Sequence, residues 1–313
     1  MPANLTPDYL DAERQYKNAE TQAEKIAALE RMMATLPKHK GTEKLQADIR
    51  KRLSQARKES AKKGGARAAP FYLVEKEGAG QIALIGPPNS GKSSLLAALT
   101  NARPEVADYP FTTRVPLPGM MAYQDVQIQL IDLPPVSAEF MEPWLPQAIR
   151  QAARGVLVVD VNDPALIENI EFIEGALDRS RIARPALLVA NKIDLAGAGP
   201  NFAALEDLYR GRYECLPVSA AASRNLDSFA RAAFDLLGIV RMYTKAPGKK
   251  ADLTAPYILR RGQTVADAAR LVHKDFAEHL KFARLFRRGG DHEGLMVERT
   301  HVVEDGDILE FHI

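Results

Sequence analysis

Apolar residues near the start of the chain recur at steps of three and four positions, which is the spacing of one face of a helix. The pattern runs through residues 12–60 and is interrupted at Pro37 and Gly41. It predicts a helical hairpin with a break between its two arms. A stretch rich in Lys, Gly and Ala, residues 62–70, has the composition of a flexible linker, so we assign residues 1–70 to this segment. The apolar positions of the hairpin are Ile26, Leu29, Met32, Met33, Leu45, Ile49 and Leu53.

From about residue 72 to residue 237, short apolar strands alternate with helical stretches. This alternation is typical of an α/β domain in which helices cover both faces of a mostly parallel sheet. We predict that this central domain comprises residues 71–240. Ligands of such sheets bind at the carboxyl ends of the strands, so the residues that end the strands are the first candidates for a site. The predicted strands are residues 81–86, 126–132, 155–160, 186–191 and 215–219.

The last part of the chain, residues 241–313, has the pattern of a strand, a helix over residues 264–280, and three short strands. Thr264 is followed three positions later by Asp267, which is the arrangement of a capping box at the start of a helix. This order of elements predicts a small α+β domain that resembles a ubiquitin-like β-grasp.

The overall charge is nearly balanced, with 42 Lys and Arg against 40 Asp and Glu and a formal net charge of +2. Affinity for nucleic acid must therefore come from a local surface rather than from the whole chain. Residues 38–67 provide such a segment, because they contain 11 Lys and Arg but only 3 Asp and Glu. We expect this basic arm to contribute to RNA binding through the release of phosphate counterions.

The chain has one cysteine, Cys215, which excludes an intrachain disulfide framework and a zinc cluster of cysteines. The first residues are too polar for a secretory signal, and no apolar run approaches the roughly 18 residues of a membrane span. We therefore predict a cytoplasmic protein without a membrane partner.

A phosphate-binding loop is predicted at residues 86–93, where GPPNSGKS follows an apolar strand and precedes a helix. Gly86 and Gly91 permit the turn that points backbone N–H groups at phosphates, and Lys92 reaches the β- and γ-phosphates. The Ser93 hydroxyl is expected to bind Mg²⁺. The alternative is a glycine-rich turn without a function. The nucleotide-binding residues predicted here are Gly86, Asn89, Ser90, Gly91, Lys92, Ser93 and Ser94.

The segment NKID, residues 191–194, predicts that the bound base is guanine rather than adenine. The Asp194 carboxylate accepts hydrogen bonds from the ring N–H and exocyclic amine of guanine, and adenine has no such donors in that place. Taken alone, NKID fits an ordinary polar loop, but VSAAA follows on the next strand, where the Ala220 backbone can meet the guanine oxygen. The base-binding residues predicted from this pair of segments are Asn191, Lys192, Asp194, Ser219 and Ala220.

A metal-binding carboxylate is predicted at Asp132, which ends a strand 40 residues after Lys92. A carboxylate there holds Mg²⁺ through its water ligands. Adjacent threonines lie between the loop and this strand, and we assign Thr113 rather than Thr112 to the metal and γ-phosphate. A strand edge is the alternative for the threonines. The predicted Mg²⁺ ligands are Ser93, Thr113 and Asp132.

Taken together, these motifs resemble those of the Obg-related GTPases, a translation-linked branch of the P-loop fold. The C-terminal part narrows the resemblance to the developmentally regulated GTP-binding (DRG) proteins and their TGS domain, and the basic hairpin resembles theirs too. The resemblance covers nearly the whole chain. It is carried by GPPNSGKSSL, DYPFTT, DLP, NKID and SA, and by the C-terminal segments RMYTKAPGKKADLTAPYIL, TVADAARLVHKDF, HLKFARLF and VVEDGDILEF.

The resemblance also shows where the chain departs from the family. Only 59 positions separate Asp132 from Asn191, so the extra domain that the DRG family inserts there is missing. Pro135 stands where the family pattern DxPG has glycine. Asn89 matches the asparagine that some related GTPases use to hold K⁺ beside the phosphates. With Lys92 and Thr113, it completes the predicted catalytic set.

These observations favour a GTPase that acts with ribosomes or structured RNA, with GTP and GDP as ligands and a regulatory protein as a further expected partner. One alternative is a scaffold that holds GTP or GDP with little hydrolysis, because Pro135 lacks the N–H and the flexibility of glycine. A P-loop kinase for a small metabolite is disfavoured, since NKID and SA specify guanine and no acceptor pocket is evident.

Overall fold

The computed structural model describes residues 6–19, 21–36, 42–62, 70–102, 115–138, 141–287 and 294–313. Within these ranges the chain forms an N-terminal group of helices, a six-stranded sheet with its helices, and a five-stranded C-terminal sheet. No helix in these ranges is long and apolar enough to cross a membrane.

The N-terminal group contains three helices, α1 (Pro7–Asn18), α2 (Gln22–Thr35) and α3 (Glu43–Lys62). The helices α2 and α3 are the two arms of the predicted hairpin, whereas Pro37 and Gly41 lie outside the described residues. The additional helix α1 was missed because its sequence is mostly polar and buries only Tyr9 and Ala12. The three helices share a core made of Tyr9, Ala12, Ile26, Leu29, Met32, Leu36, Ile49 and Ala56.

The helical group lies beside an aromatic cluster of the central domain. Trp144 stacks on Tyr72 with 5.4 Å between ring centroids, and Phe71 meets Trp144 edge to face at 5.5 Å. Phe71 also lines a cleft with residues of α2 and α3. The aromatic residues that follow the linker therefore connect the helical group to the central domain.

The central sheet has the strand order β2-β3-β1-β4-β5-β6, and only β2 runs antiparallel to its neighbour. This confirms the predicted, mostly parallel sheet of a P-loop GTPase. The strand β2 was not predicted, because Pro118 and Gly119 interrupt its apolar pattern. The strands are β1 (Gln81–Ile85), β2 (Leu117–Tyr123), β3 (Val126–Asp132), β4 (Arg154–Asp160), β5 (Leu187–Asn191) and β6 (Glu214–Pro217).

Helices cover both faces of this sheet, so alternate residues of each strand enter two different cores. In β1, Ala83 and Ile85 belong to one core and Ile82 and Leu84 to the other. Burial on both faces explains why the central strands read as continuous apolar runs in the sequence. The helices are α4 (Lys92–Leu99), α5 (Leu145–Gln151), α6 (Leu166–Arg179), α7 (Ala198–Leu208) and α8 (Leu226–Leu237).

The C-terminal sheet has the order β10-β9-β11-β7-β8 and packs against two short helices. The predicted single helix over residues 264–280 is wrong, because extended backbone at His273 divides it in two. The strand β7 was not predicted and begins directly after Gly238, which ends α8 in the left-handed conformation. The elements are β7 (Ile239–Thr244), β8 (Asp252–Arg260), α9 (Val265–Val272), α10 (Lys274–His279), β9 (Phe282–Phe286), β10 (Leu295–Val297) and β11 (Asp307–His312).

Arg241 of β7 joins the two sheets. Its guanidinium donates hydrogen bonds to Asp125, in the turn between β2 and β3, at 2.7 Å, and to Asp305 of the C-terminal domain at 2.6 Å. Tyr243 also donates to Asp125, and the Arg241 guanidinium lies over the Phe234 ring of α8 at 5.2 Å from its centroid. We call this group the Arg241 clamp, since one side chain bonds to both domains.

Contact with Arg241 lowers the pKa of the carboxyl groups of both Asp125 and Asp305. Burial alone would raise the pKa of Asp125, but the hydrogen bonds from Tyr243 and Arg241 outweigh it and hold that pKa below its ordinary value. The pKa of Asp305 is lowered in the same way, against burial, by its bonds with Arg241. Both carboxylates are therefore ionised at neutral pH and attract the arginine.

We expect Arg241→Met to lower the free energy of unfolding by about 3 kcal/mol at pH 7. The substitution leaves two carboxylates without their cation. The expected loss is at the lower end of the range for breaking a buried ion pair, because both carboxylates are partly exposed. Urea titrations of the two proteins measure the difference. The matched control is Arg270→Met, which removes an exposed arginine paired with Asp267 and should change stability by less than about 0.5 kcal/mol.

The same difference should depend on pH. Since the folded-state pKa values of Asp125 and Asp305 are lowered, their contribution is complete above the ordinary value of about 4 and is lost as the pH falls below it. Wild type and Arg241→Met should therefore approach each other in stability at pH 3. If wild type and Arg241→Met are equally stable at pH 7, or if their difference in stability is unchanged at pH 3, this account of the clamp is contradicted.

Candidate functional site

The loop between β1 and α4 has two positions that accept only glycine. A Cβ on Gly86 would lie 2.1 Å from the carbonyl oxygen of Val158, and a Cβ on Gly91 would lie 2.2 Å from Nδ2 of Asn191. Gly91 also has φ +87°, a backbone conformation that other residues rarely adopt. Packing against neighbouring strands therefore explains both glycines of the predicted phosphate loop.

Lys92, the first residue of α4, is buried and turned back over this loop. Its Nζ donates hydrogen bonds to the carbonyl oxygens of Gly86 (3.1 Å) and Pro87 (2.9 Å), and to Oγ of Ser90 at 3.4 Å. Burial lowers the pKa of the Lys92 ammonium to about 8, and the Asp132 carboxylate acts against that shift. Within the described part of the chain, the ammonium is bonded to neutral oxygens, which phosphate oxygens can replace at the same place.

Ser93 and Asp132, two of the predicted metal ligands, are in contact. Ser93 Oγ donates to Asp132 Oδ2 at 2.5 Å, and Asp132 is fully buried at the end of β3. Burial raises the pKa of Asp132, with Lys92 and the Ser93 bond acting against it, and its Oδ1 has no hydrogen-bond partner among the residues that the structure describes. Two hard oxygen groups beside a buried, unpartnered carboxylate oxygen fit Mg²⁺. Thr112 and Thr113 lie outside the described residues.

Asn191 connects the phosphate loop to the base side of the site. Its Nδ2 donates to the carbonyl oxygen of Ser90 at 3.0 Å, and its Oδ1 accepts from the backbone N–H of Ala220 at 3.1 Å. The side chain is buried among these contacts, with 2% of its surface exposed. The structure thus gives Asn191 a positioning role between two loops.

The exposed Asp194 and the buried Ser219 form a pair on the base side. Ser219 Oγ donates to Asp194 Oδ1 at 2.5 Å and accepts from the backbone N–H of Ala222 at 2.9 Å. This bond from Ser219 is the main cause that lowers the pKa of the exposed Asp194 carboxyl. The carboxylate is therefore oriented by a neighbour and ionised, as an acceptor for guanine requires.

Lys192 forms a contact that the sequence did not predict. Its Nζ lies 2.7 Å from Oδ2 of Asp160, the last residue of β4, and its backbone has φ +63°. Asp160 Oδ1 accepts from the backbone N–H of Asn162. The sequence contained one signal for this contact. Four of the five predicted strands end in a residue that was assigned to the site, and Asp160 ends the fifth.

The remaining predicted residues lie around the phosphate loop. Asn89 is exposed at its tip with φ +58°, and Ser94 is half-buried in the first turn of α4. Pro135 is buried after β3, and the next residue, Val136, donates its N–H to the Gly86 carbonyl at 3.1 Å. The segment after Asp132 therefore packs directly against the phosphate loop.

Two parts of the chain match known protein families. Residues 81–192 match the family described as 50S ribosome-binding GTPase, and residues 240–313 match the TGS domain. The structure is similar to that of the YchF GTPase of Schizosaccharomyces pombe, with a TM-score of 0.54 over 77% of this chain and 99% of the other, at 14% identity. That similarity concerns the fold.

Two curated relatives extend over almost the whole chain. Ribosome-interacting GTPase 1 of Saccharomyces cerevisiae is 27% identical, covering 92% of this chain and 98% of the relative. Developmentally-regulated GTP-binding protein 1 of Xenopus laevis is 27% identical, covering 91% and 97%. The first alignment has 369 positions, more than the 313 residues of this chain, so the relative contains residues that this chain lacks. The chain is a DRG-like GTP-binding protein with a GTPase domain followed by a TGS domain.

Proposed function

We propose that the protein binds GTP with Mg²⁺, hydrolyses it to GDP and phosphate, and does so in the cytoplasm in association with ribosomes or structured RNA. The observation that carries the proposal is the arrangement at one sheet edge. Lys92, Ser93 and Asp132 lie on the phosphate side, and Asp194 with Ser219 lies on the base side.

On the phosphate side, the chain supplies a cation and two oxygen ligands. Lys92 exchanges its bonds to loop carbonyls for bonds to the β- and γ-phosphates. Ser93 and Asp132 would hold Mg²⁺, which supplies positive charge to the phosphates when bound. On the base side, Asp194 accepts hydrogen bonds from guanine. The backbone N–H of Ala220, which its bond to Asn191 Oδ1 holds in place, can be shared with the guanine oxygen.

Hydrolysis requires stabilisation of the charge that develops on the phosphates in the transition state. Position 136 is valine, so no glutamine is available there to orient the attacking water. Asn89 is exposed at the tip of the phosphate loop, where its amide oxygen is accessible to a monovalent cation. In this proposal Asn89 would hold K⁺ there, and the bound ion would supply positive charge to the phosphates.

The partner is inferred from the relatives and from charge. The family description of residues 81–192 and the printed name of the yeast relative both refer to ribosomes. In this chain, α3 presents Arg50, Lys51 and Arg52 as exposed residues in consecutive positions. A basic helix of this kind suits a phosphate backbone, whose binding releases counterions.

We expect Asp194→Asn to reduce affinity for GDP and GTP by roughly a hundredfold. The change removes charged hydrogen bonds, for which a loss of about 3 kcal/mol corresponds to that factor. Xanthine carries a carbonyl where guanine carries the amine, so the variant should bind XTP better than wild type does. Titration with fluorescent nucleotides measures both effects. The control Asp207→Asn removes a well-exposed carboxylate of α7 and should leave affinity unchanged; equal effects of the two variants would exclude Asp194 as the base contact.

We expect GTP turnover to rise at least about tenfold when Na⁺ is replaced by K⁺, equivalent to about 1.4 kcal/mol in the barrier. Asn89→Ser should abolish that preference, because it shortens the side chain that would hold the ion. The matched control is Asn225→Ser, since Asn225 is an exposed asparagine with φ +57°. Phosphate release is measured in both salts. Equal rates for wild type, or a K⁺ preference that persists in Asn89→Ser, would rule out this role.

We expect wild type to bind GDP at least as tightly as GTP and to hydrolyse GTP slowly, because Pro135 has no N–H to donate to a γ-phosphate. Restoring the donor with Pro135→Gly should raise the preference for a non-hydrolysable GTP analogue by roughly ten- to a hundredfold, the value of one charged hydrogen bond. Calorimetry on both proteins measures this.

The control is Pro134→Gly, which adds an N–H and flexibility at the neighbouring buried position. If wild type already prefers the analogue strongly and Pro135→Gly matches it, another donor has replaced the missing one. If both variants shift the preference equally, the effect does not come from a donor at position 135 in particular.

A further inference from the structure

The edge of the central sheet opposite the nucleotide site carries a cavity lined by arginines. Its volume is about 410 Å³. Arg150 comes from the end of α5, Arg154 from the start of β4, and Arg181 and Arg184 from the turn that precedes β5. We call it the arginine cavity. All four residues are exposed, so their guanidinium groups are accessible from solvent.

Three of these arginines have no carboxylate to balance their charge among the residues that the structure describes. Arg150 donates to the Ser180 carbonyl oxygen and to Oε1 of Gln147. Arg154 donates to the carbonyl oxygens of Leu236 and Ala153, each at 3.0 Å. These partners are neutral. They fix the direction of the guanidinium groups and leave their positive charge uncompensated.

Arg181 makes no side-chain hydrogen bond or ion pair within the described ranges, and its backbone has φ +54°. A left-handed conformation is unfavourable for a residue with a Cβ. The turn is held by the Arg181 N–H, which donates to the Asp178 carbonyl at 2.9 Å. Arg184 differs from the other three, because it pairs with Asp178 and Glu174. The cavity therefore holds three uncompensated charges.

The chemistry of the cavity favours phosphate. A guanidinium presents a planar fork of N–H donors that matches phosphate oxygens, and it keeps its charge at every physiological pH. Ile149, Ile182 and Pro185 contribute apolar surface to the lining, which weakens competition from water. None of the exposed large apolar side chains of the described residues lines the cavity, so it lacks the apolar groups that insert into a lipid surface.

The cavity and the nucleotide site lie at opposite ends of the same strands. Arg154 begins β4 and Asp160 ends it. A strand of seven residues separates its ends by roughly 20 Å. A ligand in the arginine cavity therefore leaves the nucleotide site open.

We propose that the arginine cavity binds backbone phosphates of RNA. The proposal rests on the RNA association proposed above and identifies a contact surface for it on the GTPase domain. The cavity recognises phosphate rather than base edges, so binding depends on the shape of the RNA backbone and not on its sequence.

The test compares wild type with the triple variant Arg150→Gln, Arg154→Gln, Arg181→Gln in the full chain. The probe is a fluorescein-labelled RNA stem-loop of about 30 nucleotides, and anisotropy is followed over a range of KCl concentrations. We expect the triple variant to bind at least about tenfold more weakly. Its salt slope should fall by about 2 to 3, because each phosphate contact contributes about 0.9 to the slope on a duplex.

The matched control removes the same number of charges elsewhere through Arg210→Gln, Arg231→Gln, Arg270→Gln. All three are exposed arginines, and each pairs with a carboxylate three or four residues away in the sequence. We expect this variant to bind the stem-loop within twofold of wild type. GDP affinity should be unchanged in both variants, since none of the substituted side chains bonds to a residue assigned to the nucleotide site. Thermal unfolding should change little in either variant, since the substituted side chains are exposed.

Two outcomes overturn the cavity proposal and leave RNA association intact. Either wild type binds the stem-loop and the triple variant binds it equally well, or both variants weaken binding to the same extent, which would indicate general charge. Vesicles containing anionic lipid form a separate arm of the test. If the triple variant loses binding to these vesicles but keeps binding to RNA, the cavity takes lipid phosphate instead. If wild type binds neither the stem-loop nor ribosomes, the proposed RNA association fails as well.

Discussion

The side-chain amide of Asn191 is the contact on which the nucleotide site depends. It lies at the end of β5 and bonds at once to the Ser90 carbonyl of the phosphate loop and to the Ala220 N–H of the base loop. Because Nδ2 lies so close to Gly91, that position has no room for a Cβ. One buried amide thus fixes the distance between the two halves of the site and requires a glycine in the other loop. Breaking it would leave buried polar groups unpaired, which is costlier than losing a surface bond.

Two strands connect the site with distant parts of the molecule. The strand β3 ends at Asp132, beside Ser93, and it starts next to Asp125, which the Arg241 clamp bonds to the TGS domain. The strand β4 ends at Asp160, the partner of Lys192, and starts at Arg154 of the arginine cavity. Both strands are buried in the sheet over most of their length and are therefore stiff. Each therefore runs from the nucleotide site to another surface, β3 to the contact with the TGS domain and β4 to the arginine cavity.

The elements with strong periodicity were predicted well, and the others were missed for identifiable reasons. β3 matches its predicted range, and β1, β4 and β5 differ from theirs by one residue at one end, because burial on both faces produces uninterrupted apolar runs. β2 and α1 have weak patterns, since one contains Pro118 and Gly119 and the other is mostly polar. The division of the C-terminal helix at His273 has no signal in its apolar spacing, because residues on both sides of the break continue the same face. Such breaks are decided by packing against the sheet.

The sequence by itself determined which motifs this protein carries and in what order: a phosphate loop after a strand, a carboxylate at the end of another strand, and the NKID and SA segments, to which we assign phosphate, Mg²⁺ and guanine. Each of these motifs consists of residues that are adjacent in the sequence, so it can be recognised without knowledge of the fold. Only the tertiary structure decided which groups meet across large separations. Asp160 pairs with Lys192 and Arg241 bonds to Asp125, and four arginines from three separate segments line one cavity. The physical reason is that such contacts are made by strand order and helix packing, which place residues distant in sequence side by side and leave no periodic trace in the chain.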